Sequence, residues 1–367
     1  MTDLDVIARQ LLVQSHFGRV EEAPATALSS LDAQNWENLI AALEYHGITP
    51  LIAPLFEDGR IASIAGRQTR RMIRALRVKH RLSVRRREAC VDELLTAFAD
   101  ADIAILLLKG AALAHQIYQA PELRPSIDID VLIKATDNAR ARMCCEKLGY
   151  RFSRQHRSPY ARWMHHLPVA EKELDEATIQ LEIHTDVMSP SRLRRLGMSS
   201  LCETPRAVER STGPRGLTLG HVDMLRHLTC HAFEPARNVR LIHLFDTWLY
   251  ARRYGDEIDW KKLQKMAPEA AVAADMASRA FQDGGAIAGI GKGMPPLSEL
   301  ISSSSSLGDR MSALFCPPEW WLRGFYGVAA GKSLKFCLSF RHPLTVLGWV
   351  LLRSAARTVN SVTPAMP

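Results

Sequence analysis

No two cysteines of this chain stand in a C-x-x-C pair. Seven are scattered over 367 residues, and only Cys144 and Cys145 are neighbours. That adjacent pair lies in a stretch of helical periodicity, a poor setting for a disulfide. An odd, unpatterned set reads as reduced thiols, and a cytoplasmic location is expected. The N-terminus, MTDLDVIARQLL, lacks the basic start and continuous apolar run of a signal peptide. Long apolar runs are missing too. Near the other end the longest, Leu344 to Leu352, is far too short to span a bilayer. The chain is expected to be soluble or at most peripheral at a membrane.

What is present is the make-up of a globular protein: 47% hydrophobic and 23% charged residues. The length allows roughly two to three domains and a sizeable core. A net charge of +8 makes polyanions plausible partners, whether nucleotides, nucleic acid or acidic membrane.

Apolar positions recur at three and four residues through the first hundred positions, which predicts a helical region at 1–100. Residues 67–88 within it (RQTRRMIRALRVKHRLSVRRRE) are strongly basic beside a stripe of Met72, Ile73, Leu76 and Leu82. This is either a surface helix packed by its stripe or a basic face for a polyanion. From residue 103 the character changes. IAILLLKG reads as a buried strand ended by Gly110, IDIDVLI alternates strictly, and TIQLEIHTDV alternates again. A helix opened by Thr136 or Asp137 and closed by Gly149 lies between the last two. Strands alternating with helices predict an α/β (α+β) core over 101–200 built on a small mixed sheet. A helical region is expected over 201–282, then a Gly/Ser-rich linker over 283–307 and a helical tail over 308–367. Membrane-surface contact by the tail or its docking onto the protein would both suit its amphipathic end.

The chemistry concentrates in the alternating segments. In IDIDVLI, Ile127, Ile129 and Val131 point one way, and Asp128 and Asp130 the other. Two carboxylates about 7 Å apart on one strand face repel each other unless a cation lies between them. Magnesium commonly takes one or two carboxylates plus substrate phosphates. By itself Asp-x-Asp equally describes an edge strand with a solvated acidic face. In TIQLEIHTDV, Glu182 and His184 share a face, so pairing of the two strands would add a third carboxylate and bring His184 alongside. Two metals could then be held for an in-line displacement. Asp186 is the fallback for Glu182. Lys109-Gly110 sits at a strand-to-helix turn, where glycine admits a phosphate to the backbone and lysine adds a cation. Arg124 stands four residues before Asp128, able to clamp a triphosphate or pair with an aspartate. His227 and His231, at i and i+4, are a metal pair or ordinary packing. Asp246, in an apolar helical stretch, is expected to partner an arginine such as Arg240.

LLLKGAALAHQIY, then ELRPSIDIDVLI, a helix ending in LGY, and QLEIH together resemble the uncharacterised nucleotidyltransferase family of the DNA polymerase beta superfamily. LRHLTCHAF and RLIHLFDTWLYARRYGDEIDW are similar to its helical C-terminal part, so the match runs from about 100 to 265. The resemblance implies Asp128, Asp130 and Glu182 as catalytic metal ligands for Mg²⁺ or Mn²⁺. It implies Lys109, Gly110 and Arg124 as contacts to a nucleoside triphosphate. Lys-Gly stands where the wider superfamily has a Gly-Ser phosphate turn, and residues 111–127 make a longer gap than typical members have. The expected activity is transfer of a nucleoside monophosphate to a hydroxyl of a protein, small molecule, sugar or RNA. The alternatives are an inactive nucleotide- or partner-binding module on the same fold, or a nucleic-acid-binding protein led by the basic helix.

Overall fold

The computed structural model describes residues 3–17, 22–153, 167–187, 197–210, 213–232 and 239–281. The expected linker at 283–307 and tail at 308–367 lie outside the described residues. The first hundred residues are helical: α1 (Asp3–Phe17), α2 (Glu22–Ser29), α3 (Ala33–His46), α4 (Thr49–Ile52), α5 (Gly59–Ile64) and α6 (Arg67–Asp100). Next come β1 (Ile105–Leu107), α7 (Lys109–Gln116), β2 (Asp128–Ile133), α8 (Asn138–Lys147), β3 (Arg151–Phe152), β4 (Ala170–Leu174) and β5 (Ala177–His184). Two short strands, β6 (Arg206–Val208) and β7 (Gly216–Thr218), precede α9 (His221–Ala232), α10 (Leu241–Arg253), α11 (Trp260–Met266) and α12 (Pro268–Phe281). The class is mixed α/β.

Two compact units emerge, each made of separate stretches. Of the described residues, one takes in those within 3–86, 113–126 and 228–281; the other takes in those within 87–112 and 127–227.

The second unit holds a seven-stranded mixed sheet in the order β3-β4-β5-β2-β1-β7-β6. β2 pairs parallel with β5 and antiparallel with β1. β1 pairs parallel with β7, and the remaining neighbours are antiparallel. The alternation seen in the sequence is the reason for this centre. Ile129, Val131 and Ile133 on β2, with Ile179, Leu181 and Ile183 on β5, are each no more than 1% exposed. Burying one such side chain stabilises by about 1.5–3 kcal/mol. Ile127, expected to join them, is exposed, because the strand begins only at Asp128. Following β2, α8 starts after Asp137, whose side chain makes no capping hydrogen bond, and closes on Gly149 at φ 89°. Tyr150 N–H bonds back to the Cys145 carbonyl at 3.0 Å, the left-handed helix ending that glycine allows. The stretch after residue 201, expected to be helical throughout, instead opens with β6 and β7. Segments of three residues are too short to show a period.

The helical unit is pinned by buried polar contacts. His46 Nε2–H donates to Asp5 Oδ1 at 3.0 Å, and its Nδ1 accepts from Leu241 N at 3.3 Å. At the start of α3, Asp32 accepts from the backbone of Asn35 at 2.8 Å. Phe245, Trp248 and Phe281 stack in the core of α10 and α12, with centroids 5.3–5.7 Å apart. No single helix among the described residues is long and apolar enough to cross a membrane. A bent pair, Ala33–His46 with Thr49–Phe56, passes that test on length and composition alone.

Candidate active site

β2 is the fourth strand of seven, so its acidic face is not the face of an edge strand. In the parallel register Asp128 lies opposite Gln180, Asp130 opposite Glu182, and Leu132 opposite His184. Directly opposed residues project to the same side of a sheet. The two alternating segments therefore pool their polar sides: Asp128 and Asp130 from one, Glu182 and His184 from the other.

Asp130 is the buried centre, 2% exposed. Its Oδ1 accepts from Lys109 Nζ at 2.6 Å and from His184 Nε2 at 2.8 Å. His184 Nε2 also lies 3.5 Å from Glu182 Oε2. A ring nitrogen between two carboxylates carries its proton there. Burial opposes charge on both Asp130 and His184. For Asp130 the Lys109 charge and the His184 hydrogen bond prevail, holding the carboxyl far below the usual range. For His184 the bonds to Asp130 and Glu182 prevail and raise its pKa above the ordinary value. Glu182 is lowered, chiefly by its hydrogen bond from His184. Lys109 is desolvated as well, yet Asp130 and then Asp128 raise it.

Lys109 reaches this position through its backbone. β1 ends at Leu107, and Leu108 N–H donates to the Asp130 carbonyl at 3.0 Å, which fixes the turn against β2. The left-handed residue in the turn is Lys109 itself, at φ 42°, and not Gly110. Such a conformation costs a residue with a side chain about 1–3 kcal/mol, and persists where surrounding contacts over-determine it. The 2.6 Å ion pair is one such contact.

Asp130, Glu182 and His184 offer ligand atoms that all lie within 4.8 Å of one another. Two carboxylates and an imidazole suit a divalent ion: the oxygens serve Mg²⁺, and the nitrogen, on giving up the proton it shares with them, widens the choice to Mn²⁺. Asp128, half-buried on the same face, is not one of the three, though its charge bears on Lys109 and on the buried Arg87. His184 takes a ligand-capable position that the three-carboxylate expectation did not give it. Asp186 lies beyond the end of β5 and outside this group.

Arg124 is held in the helical unit. Its Nε bonds both oxygens of Asp246, at 2.8 and 3.0 Å, and Nη2 adds a third bond at 2.7 Å. Tyr118 donates to the same carboxylate at 2.7 Å, and burial followed by the Asp246 charge raises its pKa well above normal. The arginine partner of Asp246 is thus Arg124, where Arg240 was expected.

The residue that sequence reading undervalued is His227. It is 2% exposed, and no side chain hydrogen-bonds either ring nitrogen, the backbone of Val187 being its one polar neighbour of that kind among the described residues. Burial, then the positive charges of Lys109 and His184, bring its pKa down to about 3. It is a neutral imidazole within electrostatic reach of the carboxylate group. The pairing with His231 drew attention to metal binding, but neither histidine belongs to the metal-capable group among the described residues.

The family model of the uncharacterised nucleotidyltransferases matches residues 32–276, about two thirds of the chain. The chain belongs to that family. This nucleotidyltransferase matches no curated protein sequence. Among solved structures it is similar to the antibiotic-resistance factor ANT(2'')-Ia in solution, at 12% identity and a TM-score of 0.37. It is similar also to ANT(2'')-Ia in a crystal complex with adenylyl-2''-tobramycin, at 13% identity and a TM-score of 0.35. Each match covers 53% of this chain and 98% of the other.

Proposed function

We propose that this nucleotidyltransferase moves a nucleoside monophosphate from a nucleoside triphosphate to a hydroxyl of an acceptor, using a divalent metal. The observation that carries the reading is the β2–β5 register, which sets Asp130 opposite Glu182 with His184 and Lys109 joined to the same carboxylate. In the reaction an acceptor oxygen bonds to the α-phosphorus. The bond from that phosphorus to the pyrophosphate oxygen breaks, and pyrophosphate leaves with the electron pair. A bound divalent ion, Mg²⁺ or Mn²⁺, would neutralise the triphosphate and lower the pKa of the attacking hydroxyl.

The chain's own groups divide the remaining work. Asp130 stays ionised at any physiological pH, and Asp128 extends the negative face toward the incoming cation. His184 orients Asp130 by a hydrogen bond and draws Glu182 toward the same ring nitrogen, 3.5 Å away. Glu182, kept ionised by that contact, serves as ligand or takes the hydroxyl proton. Lys109 supplies positive charge for phosphate oxygens, and the Lys109-Gly110 turn opens the helix that receives them. Acceptor classes in keeping with this chemistry are a protein side chain, a small molecule, a sugar or an RNA end.

Mass spectrometry of candidate acceptors incubated with each triphosphate and Mg²⁺ tests the reading. The native chain should add one nucleotide, and the Asp128→Ala, Asp130→Ala double variant none. Equal modification by both would sink it. Calorimetry with triphosphate and Mg²⁺ identifies the binding-module alternative, which binds without releasing pyrophosphate.

A second reading rests on α6, which carries no acidic residue between Arg67 and Arg87. Arg67, Arg71, Arg74, Arg81 and Arg85 are exposed there, around the exposed Val78 and Leu82. That face suits a nucleic-acid backbone.

A further inference from the structure

Asp130 Oδ1 is claimed twice. It belongs to the only group among the described residues able to hold a metal ion, and it already carries the Lys109 ammonium at 2.6 Å. Lys109 is not a surface lysine in passing contact: its side chain is 15% exposed, against 2% for Asp130. Its backbone is held left-handed at φ 42°. The ammonium therefore does for the buried carboxylate what a metal ion would do, supplying a positive charge at hydrogen-bonding distance.

Both cations do not fit together. An ion bound through that oxygen, at about 2.1 Å, would stand within about 5 Å of Nζ. Two positive charges that close, screened poorly in a buried site, repel. His184 donates to the same oxygen from the other strand at 2.8 Å, so the position is already crowded.

We infer that Lys109 is the resident cation of the metal site: it neutralises Asp130 in the metal-free chain and leaves that oxygen when a divalent ion binds. The inference rests on the metal-dependent reading proposed for this site and deepens it. Breaking the Lys109–Asp130 pair is part of the work of metal loading, so Lys109 weakens the apparent affinity for metal. In return the freed ammonium, on the first residue of α7, becomes available to a triphosphate. Metal loading and the appearance of a phosphate-binding cation are thereby one event.

The test uses Mn²⁺ alone as probe, without nucleotide, on the full chain. Free Mn²⁺ is followed by its paramagnetic resonance signal for the native protein, Lys109→Met and Lys109→Arg. Methionine preserves most of the apolar stem and removes the charge. Lys109→Met should bind Mn²⁺ at least ten-fold tighter than the native chain, while Lys109→Arg stays near native. A lysine with a merely structural role would lower affinity on removal, so equal or weaker binding by Lys109→Met overturns the inference. Should that variant fail to fold, the native chain carries the test. Acetylation of Lys109, read by peptide mass spectrometry, should rise several-fold on adding Mn²⁺, and unchanged labelling overturns the inference. Mn²⁺ binding by none of the chains would remove the metal site itself. Tight and equal binding by native and Lys109→Met would remove only the role of Lys109.

Discussion

A buried imidazole that no side chain hydrogen-bonds makes His227 a pH-sensitive point of the fold. Its folded pKa is about 3, while an unfolded histidine titrates near 6.5. Between those values the unfolded chain binds the extra proton, so stability from this residue is complete above about pH 6.5 and declines as pH falls toward 3. Each pH unit in that window is worth about 1.4 kcal/mol. Taking the native chain from pH 7 to pH 5 should therefore cost about 2 kcal/mol more than the same change costs His227→Leu. Urea unfolding of both proteins at the two pH values checks this, and parallel losses would contradict it. Residues on one strand were legible at this scale. Asp128, Asp130 and Glu182 announce themselves because period two sorts faces without any knowledge of the fold. His227 did not, since its neighbours Lys109 and His184 are distant in sequence and no local pattern links them. Lys109 was legible as a cation beside a turn glycine. That the lysine and not the glycine takes the left-handed conformation depends on the buried carboxylate it reaches.

At the scale of the element, long periodic segments were readable and short ones were not. β1, β2 and β5 carry apolar runs or strict alternation. β3, β6 and β7 are two or three residues long, and β4 (AEKEL) has the composition of a helix, so pairing with neighbours decides its state. α6 was legible as helix and as basic. With 3.6 residues per turn, Arg67, Arg71, Arg74, Val78, Arg81, Leu82 and Arg85 fall on one side of it. A helix that serves a nucleic-acid backbone through such a side displaces counterions in proportion to its contacts. The affinity for a short RNA should then fall steeply with salt. Removing Arg71 and Arg74 as alanines should flatten the log–log slope by about 1 to 2. Binding should survive loss of Asp128 and Asp130. A slope unchanged by the two arginine substitutions would remove α6 from any polyanion contact.

At the scale of the whole molecule, the compact units do not follow successive blocks of sequence. The second half of α6 belongs with the sheet, and with it come the buried Val91, Leu94, Leu95 and Phe98. Charges join the same pieces. Arg210, just after β6, bonds Glu88 at 2.6 Å and pairs also with Asp92, while Lys172 on β4 pairs with Glu93. A reading along the chain sees a change of character near residue 101 and places a boundary there, because hydrophobic period reports secondary structure and says nothing of which segments later share a core. A fragment cut along that visible boundary, 101–200, keeps β1 to β5 but loses the α6 half, β6 and β7. The loss removes the β7 neighbour of β1 and uncovers Leu107, 1% exposed in the full chain. The four buried side chains of the α6 half, at about 1.5–3 kcal/mol each, are together comparable to the net stability of an ordinary domain. The 101–200 fragment should therefore show no cooperative thermal transition by circular dichroism and poor amide dispersion by NMR. The 87–227 fragment, which restores the α6 half, β6 and β7, should melt cooperatively. A folded 101–200 fragment would mean that the sheet stands without its flanking segments, and that the block read from the sequence is the true folding unit.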